Sequence, residues 1–377
     1  MINRERLTEE FLELVKVDSV SGFERKIADL LKNKLEEIGL SVTEDDTGKK
    51  IYTGTGNLIA RLPGNGSTAP SVMICAHMDT VEPGRGVVPV IEGSIIKSSG
   101  DTVLGGDNKA GIAIILEALR VIRENNIQHG DLEVVLTVFE EGGLLGAGNL
   151  DPGMLKSTMG YVLDSDGPPG TIVTSAPTQD RITATIKGKS AHAGICPEKG
   201  VNAIKVAARA IADMSLGRLD RETTANIGII SGGKATNIVP DSVLIQGETR
   251  SLQRSKKESQ TRDIVEKINQ AAASYGASAE IKVENLYQDF CISEDEKVVK
   301  IAVEAAKNLK MDPRIESTGG GSDANIFNEK GIYTVILGIA MQNVHTTEEF
   351  ISMDDMEAGA RYLVEIIKVA GAVKGKR

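Results

Sequence analysis

Residues 71–80 read SVMICAHMDT: five consecutive apolar residues, 72–76, that stop at His77, Met78 and Asp79. A run this short and this continuous predicts a strand buried on both faces. Upstream, GNLIARL (56–62) predicts a second strand, closed by the turn Pro63-Gly64-Asn65-Gly66. Further upstream, Leu7, Phe11, Leu14 and Val15 carry a helical period, and residues 5–39 read as helical. Downstream, a helix over 107–124 follows Gly105-Gly106. DLEVVLTVFEE (131–141) predicts another buried strand, residues 144–149 a helix or turn, and GYVLDSD (160–166) a further strand. Strand and helix alternate, so the reading is an α/β domain on a mixed, mostly parallel sheet.

The pattern changes after about residue 178. RITATIKGKSA alternates like a half-exposed strand, VNAIKVAARAIADMS is an amphipathic helix, and ANIGIISGG and SVLIQGETRS are two strands. KKESQTRDIVEKINQAAASYG is a second helix and AEIKVENLY a last strand. The order β-α-β-β-α-β predicts a ferredoxin-like α+β domain, the split βαβ sandwich. Residues 178–291 are thus expected to be inserted into an α/β domain made of 1–177 plus 292–377. That domain is completed by a helix at 294–310, the strand YTVILGI and a final helix at 354–373.

Across 377 residues, 43 Lys and Arg face 53 Asp and Glu, a formal net charge of −10. That balance argues against nucleic acid or an anionic membrane as the main partner, since both call for a basic face. No apolar run approaches the roughly 20 residues that span a bilayer. The charged opening MINRERLTEEFLELV reads as an amphipathic helix, and no signal peptide is expected. Cys75, Cys196 and Cys291 are odd in number and form no CxxC pair, so a reducing cytoplasm is the expected compartment.

The chemistry gathers at strand ends. His77 and Asp79 share a strand face, so one imidazole nitrogen can bind a cation while a carboxylate steers the other. Asp107 opens a helix, where an N-cap is the commonest use of Asp. Glu140 and Glu141 follow an apolar run and repel each other unless a cation sits between them. Asp164 ends the strand YVL; Asp166 shares its face, and either could be the ligand. His345 lies just past the last predicted strand. In open α/β sheets ligands collect at the carboxyl ends of strands. Two imidazoles with several carboxylates suit zinc, cobalt or manganese. So many carboxylates exceed one tetrahedral zinc, and two metals bridged by a carboxylate is the natural solution.

His129 lies in a polar stretch, ENNIQHGD, read as a surface loop. Cys75 is expected in the core. Arg254, Lys256 and Lys257 read as the solvated start of a helix. Gly319, Gly320, Gly321 and Ser322 could offer backbone N–H groups to a substrate carboxylate, or form a turn before a helix at 323–329.

The motifs AHMDTVEPG, GGDNKAG, FEEGGLLGA, LDSDGPPG, KGKSAHAG, GGKATNIVP, GETRS, GGGSDANIF and VHTTEEF follow one another along nearly the whole chain. Together they resemble the co-catalytic zinc peptidase and deacylase family that includes peptidase T, carboxypeptidase G and succinyl-diaminopimelate desuccinylase. Through GGDNKAG, LDSDGPPG and VHTTEEF the likeness looks closest to peptidase T. The resemblance implies that His77 and Asp164 hold one zinc, Glu141 and His345 the other, and that Asp107 bridges them. It implies that Asp79 orients His77 and that Glu140 is the general base. It further implies a cis peptide between Asp107 and Asn108, an oxyanion-stabilising His192, and substrate contacts at Asn237 and Arg250. Asn108 stands where many relatives carry a second Asp, and no loss of metal binding is expected from it.

The expected function is a metallopeptidase that hydrolyses short peptides, in the manner of a tripeptide aminopeptidase, with water activated by two zinc ions. An N-acyl amino acid deacylase or carboxypeptidase is the alternative on the same scaffold. A non-catalytic binding protein would be expected to have lost a ligand or Glu140, and every position is present. For His192 to act, the inserted domain must close as a lid, with hinges near 176–180 and 289–293. Such a domain also serves dimerisation in some relatives, so monomer and homodimer both stay open.

Overall fold

Val72–His77 is a strand buried along its whole length. In this computed structural model, which describes residues 1–66 and 68–373, it lies in the middle of a mixed, largely parallel sheet. Leu132–Thr137 and Met159–Ser165 pair with it in parallel, one on each side. Tyr333–Gly338 adds in parallel beyond Met159–Ser165. Four neighbouring parallel strands therefore end at one edge of the sheet. Leu58–Leu62 and Thr171–Ala176 flank them antiparallel, one on each side, and Ser41–Glu44 pairs antiparallel with Leu58–Leu62 at the outer edge. The apolar helix Gly106–Glu124 packs on this sheet and is itself covered by Arg4–Val15 and Met353–Ala372. The outer two bury an apolar face, as the helical period requires, whereas Gly106–Glu124, between them and the sheet, is buried on nearly all sides.

The fold divides into two compact units. The first holds Met1–Ser175, Cys291–Ser317 and the chain from Ser322 onward; the second holds Ala176–Phe290 with Thr318–Gly321. The second unit thus also takes in the glycine loop. It is the split βαβ sandwich. Its strands run in the order Thr223–Gly232, Ser242–Ser251, Thr178–Lys187, Ser278–Tyr287, all antiparallel. The alternation in RITATIK puts Ile182, Ala184 and Ile186 on one face, where they meet Val206, Ala210, Ile264 and Ile268 from the two helices.

Three readings are corrected, and one small sheet had no reading at all. Residues 5–39 are not one helix but two, Arg4–Val15 and Arg25–Ile38, separated by a loop with Gly22 at φ 87°. The apolar period runs across the break, which hides it. Pro89–Glu92 and Ile95–Ser98 form a hairpin that pairs with Phe350–Ser352, a small sheet no apolar run signalled. His129 is buried, its Nδ1 2.6 Å from the Gly130 carbonyl. Lys257 is buried too, with its ammonium donating to Asp180 at 2.8 Å. Among the described residues no helix is long and apolar enough to cross a membrane.

Candidate active site

The four parallel strands deliver the site. His77 is the last residue of its strand, Asp164 the penultimate residue of Met159–Ser165, and Glu140 and Glu141 follow Leu132–Thr137. His345 stands in the loop after Tyr333–Gly338, and Asp107 at the irregular start of the helix Gly106–Glu124, where the Asp107–Asn108 peptide is cis.

These residues meet. His77 Nε2 lies 3.0 Å from Asp107 Oδ1 and 3.6 Å from Asp164 Oδ1. His345 Nε2 lies 3.2 Å from Asp107 Oδ2 and 2.9 Å from Glu141 Oε1. Asp107 thus turns one oxygen to each imidazole. Ligand atoms of His77, Asp107 and Glu141 all fall within 4.8 Å of one another. Of the two aspartates left open, Asp164 faces His77, whereas Asp166 is exposed and its side chain, among the described residues, reaches only the Ser165 hydroxyl, at 3.5 Å.

The electrostatics match a cation-binding centre. Burial lowers the affinity of His77 for a proton, yet hydrogen bonds with Asp107, Asp164 and Asp79 raise its pKa well above the ordinary value. His345 is pushed up to about 10 by its hydrogen bonds to Asp107 and Glu141. Burial pushes Asp164 up to about 7. It also acts to raise Asp107, but the two imidazoles hold that carboxyl well below the usual range. Burial drives Glu140 well upward, with Asp164, Asp323 and Glu141 adding to it against His77. Every carboxylate here gains from positive charge at the centre. His77 Nδ1 sits 2.9 Å from the Asp79 carbonyl oxygen. A carbonyl only accepts, so Nδ1 carries a hydrogen, and Nε2 is the nitrogen that faces the carboxylates: it donates to them when protonated and would offer its lone pair to a metal ion in the proton's place. The donor set therefore fits divalent metal.

Asp79 orients His77 through that backbone carbonyl; its carboxylate Oδ1 is further off, at 3.6 Å. The carboxylate has other partners. Oδ1 accepts the Glu140 N–H at 2.9 Å, and Oδ2 accepts the Glu141 N–H at 3.2 Å and the Ser21 hydroxyl at 2.6 Å. Asn108 donates its amide to Asp164 Oδ1 at 3.0 Å, a bond an Asp at this position could not make when ionised.

Sequence reasoning missed three carboxylates around the centre. Glu349 accepts the N–H groups of Gly105 (2.8 Å) and Asp107 (2.9 Å), one on each oxygen. Asp323 is buried, takes the Thr137 hydroxyl at 2.5 Å on Oδ2, and leaves Oδ1 without a partner. Glu24 is also buried and accepts the N–H of Phe139. Glu349 and Asp323 both lie inside the quoted motifs, the only signal they gave.

In the second unit, the Gly194 N–H donates to His192 Nδ1 at 3.2 Å, which leaves the hydrogen on Nε2 of this exposed ring. Asn237 accepts the Ala193 N–H on its backbone carbonyl. Arg250 is held by Glu248 through Nε (2.8 Å) and Nη2 (3.1 Å), so Nη1 has no partner among the described residues. Gly321 lies against the Tyr287 ring, where a Cβ would come within 2.2 Å. Gly320 N–H bonds the Thr318 hydroxyl. In the first unit, Ser322 is spent on a capping box at the start of Asp323–Glu329, its N–H and hydroxyl both engaged.

A model of peptidase family M20/M25/M40 matches residues 73–369. The chain belongs to this family. It is 46% identical to aminopeptidase PepT from Bacillus cereus, whose structure covers 98% of this chain and 99% of that one with a TM-score of 0.88. A tripeptidase structure from Staphylococcus aureus matches at 42% identity and a TM-score of 0.93, over 98% and 99% of the two chains. The YqjE protein of Bacillus subtilis is 45% identical over 370 residues, 98% of this chain and all of the relative. As a member of the M20 family the chain is a hydrolytic enzyme, a metallopeptidase of the peptidase T-like kind that acts on peptides.

Proposed function

We propose that the chain is an aminopeptidase of short peptides, tripeptides above all, that works with two zinc ions. The observation that carries this reading is Asp107, whose two oxygens address two separate imidazoles. His77 and Asp164 would hold one ion, Glu141 and His345 the other, with Asp107 between them. Cobalt or manganese would suit the same donors. When bound, the ions supply Lewis acidity to the scissile carbonyl and to the attacking water. Glu140 takes the proton from that water on a carboxylate oxygen and hands it to the leaving peptide nitrogen. Its burial favours the protonated form it adopts between those two transfers. His192 would donate its Nε2–H to the oxyanion. The second unit is read as a lid or dimerisation-type domain, in a chain that works as monomer or homodimer.

The likeness to an aminopeptidase and a tripeptidase, at 46% and 42% identity over nearly the whole chain, supports this choice of substrate. Arg250, with Nη1 to spare, suits a carboxylate, and Asn237 and the backbone of Gly320 and Gly321 would be further substrate contacts. A peptide C-terminus and an N-acyl amino acid both offer that carboxylate, so Arg250 also fits a deacylase or carboxypeptidase. Three free cysteines accord with work in the cytoplasm.

The test is cleavage of unblocked, N-acetylated and C-amidated di- and tripeptides, read by mass spectrometry with and without chelator. Release of the N-terminal residue from unblocked tripeptides, abolished by chelation, is expected. Cleavage of acetylated substrates alone would move the chain to the deacylases.

A further inference from the structure

Glu24 has no place in the chemistry above, yet it is fully buried and sits against the turn that carries Glu140 and Glu141. It occupies the N-cap position of the helix Arg25–Ile38 but does not cap it: its side chain makes no bond to the helix N-terminus. Instead Oε1 accepts two N–H groups, from Gly22 at 2.8 Å and from Phe139 at 3.1 Å, residues far apart in the chain. Oε2 has no partner. Burying a carboxyl with one oxygen unsatisfied is unfavourable unless the other oxygen does something the site needs.

The Phe139 N–H is the first of three in a row. Asp79 takes the next two, those of Glu140 and Glu141. Phe139 itself is at φ 52° and Leu144 at φ 60°, left-handed backbone that non-glycine residues hold only when neighbours fix it. The loop before Glu24 is fastened to the same strand end: Ser21 donates to Asp79, Ser19 donates to the Met78 carbonyl at 2.9 Å, and the Thr80 N–H donates to the Ser19 carbonyl at 3.0 Å. Gly22 at φ 87° presses on the Phe139 ring, where a Cβ would come within 3.2 Å. Gly142 packs against the ring too.

We propose that Glu24 is a positioning residue for hydrolysis: its Oε1 fixes Phe139, and Asp79 the next two amides, so that Glu140 and Glu141 are presented together in one orientation. The role requires an acceptor oxygen at that reach, not a charge. Burial pushes the Glu24 carboxyl up to about 7, and either protonation state leaves Oε1 able to accept.

The inference rests on the reading of Glu140 as general base. Its test uses the zinc-loaded full chain, with kcat and KM on an unblocked tripeptide measured below each variant's Tm. Glu24→Gln keeps the acceptor and should stay within about threefold of the native kcat, whereas Glu24→Asp withdraws it and should lose kcat roughly 10- to 100-fold. KM should move by less than about twofold in both, since the ground-state contacts are untouched. Glu24→Ala should behave like Glu24→Asp; if it does not fold, the Gln and Asp variants decide alone. Native kcat in Glu24→Asp, or equal damage in Glu24→Gln and Glu24→Asp, would overturn the proposal. Glu140→Gln is measured alongside. An inactive Glu140→Gln beside a fully active Glu24→Asp refutes the role of Glu24 only, and an active Glu140→Gln refutes the reading of the site beneath it.

Discussion

His77 and His345 face the same Asp107 but are held in opposite ways. His77 ends a strand buried on both faces, is 2% exposed, and has Nδ1 committed to the Asp79 carbonyl. His345 stands in a loop at φ 64°, between Asn343 at φ 53° and the turn of Glu348, and its side chain is 51% exposed. Among the described residues, only Asp107 and Glu141 engage its ring. One half of the centre is thus built into the sheet, and the other is completed by a loop. A carboxylate shared between them lets the rigid half set the position of the soft one. The rest of the scaffold follows the same division: Asn108 braces Asp164 on the inner side, while backbone amides held by Asp79 and Glu24 brace the turn of Glu141 on the outer side.

The largest effect should come from the proposed general base. Glu140→Gln should lower kcat roughly 10²- to 10⁴-fold with metal content unchanged; full activity would remove Glu140 from the chemistry. Next come the two imidazoles, which test the comparison itself. After identical dialysis, His77→Ala should lose more metal and more activity than His345→Ala, by metal analysis and tripeptide assay on the same samples. Equal losses would mean that rigidity of the strand end adds nothing. Glu349 acts on the shared ligand alone. Glu349→Ala frees the amides of Gly105 and Asp107 and should weaken metal binding or activity roughly 10- to 100-fold; an unchanged metal affinity would make Glu349 a structural residue only.

The last effect is on stability and not on activity. The Glu24 carboxyl rises from 4.5 to about 7 on folding, through burial first and the charge of Asp79 second. The folded state then binds the proton more tightly, so stability is full below pH 4.5 and falls as pH rises toward 7. Against Glu24→Gln, the native chain should lose up to about 3 kcal/mol across that window in denaturant unfolding. A constant difference between the two would mean that the carboxyl ionises freely where it lies.

Much of this was legible because the chemistry sits where apolar runs stop. VMICAH ends at His77, MGYVLDS ends one residue past Asp164 and LEVVLT ends three residues before Glu140, and hydrophobic pattern alone aligns those ends. The ferredoxin-like unit was legible for the same reason, through the period-two burial of Ile182, Ala184 and Ile186. What stayed hidden depends on contacts distant in sequence. Pattern could not separate Asp164 from Asp166, since both lie on one strand face and only the approach of His77 distinguishes them. Glu24 and Glu349 look like ordinary surface glutamates until the Phe139, Gly105 and Asp107 amides are brought to them. The break between the first two helices went unseen because Val15, Val20 and Ile27 continue an apolar rhythm across a loop that is buried against Met78–Thr80.

The most direct test of the two-metal account is a calorimetric titration of metal-free chain with zinc, with tripeptide hydrolysis followed on the same samples. We expect two sites per chain, the tighter one surviving in His345→Ala and the weaker one lost, and activity that tracks the second equivalent. A single site per chain that already gives full activity, or two sites of equal strength in His345→Ala, would contradict it.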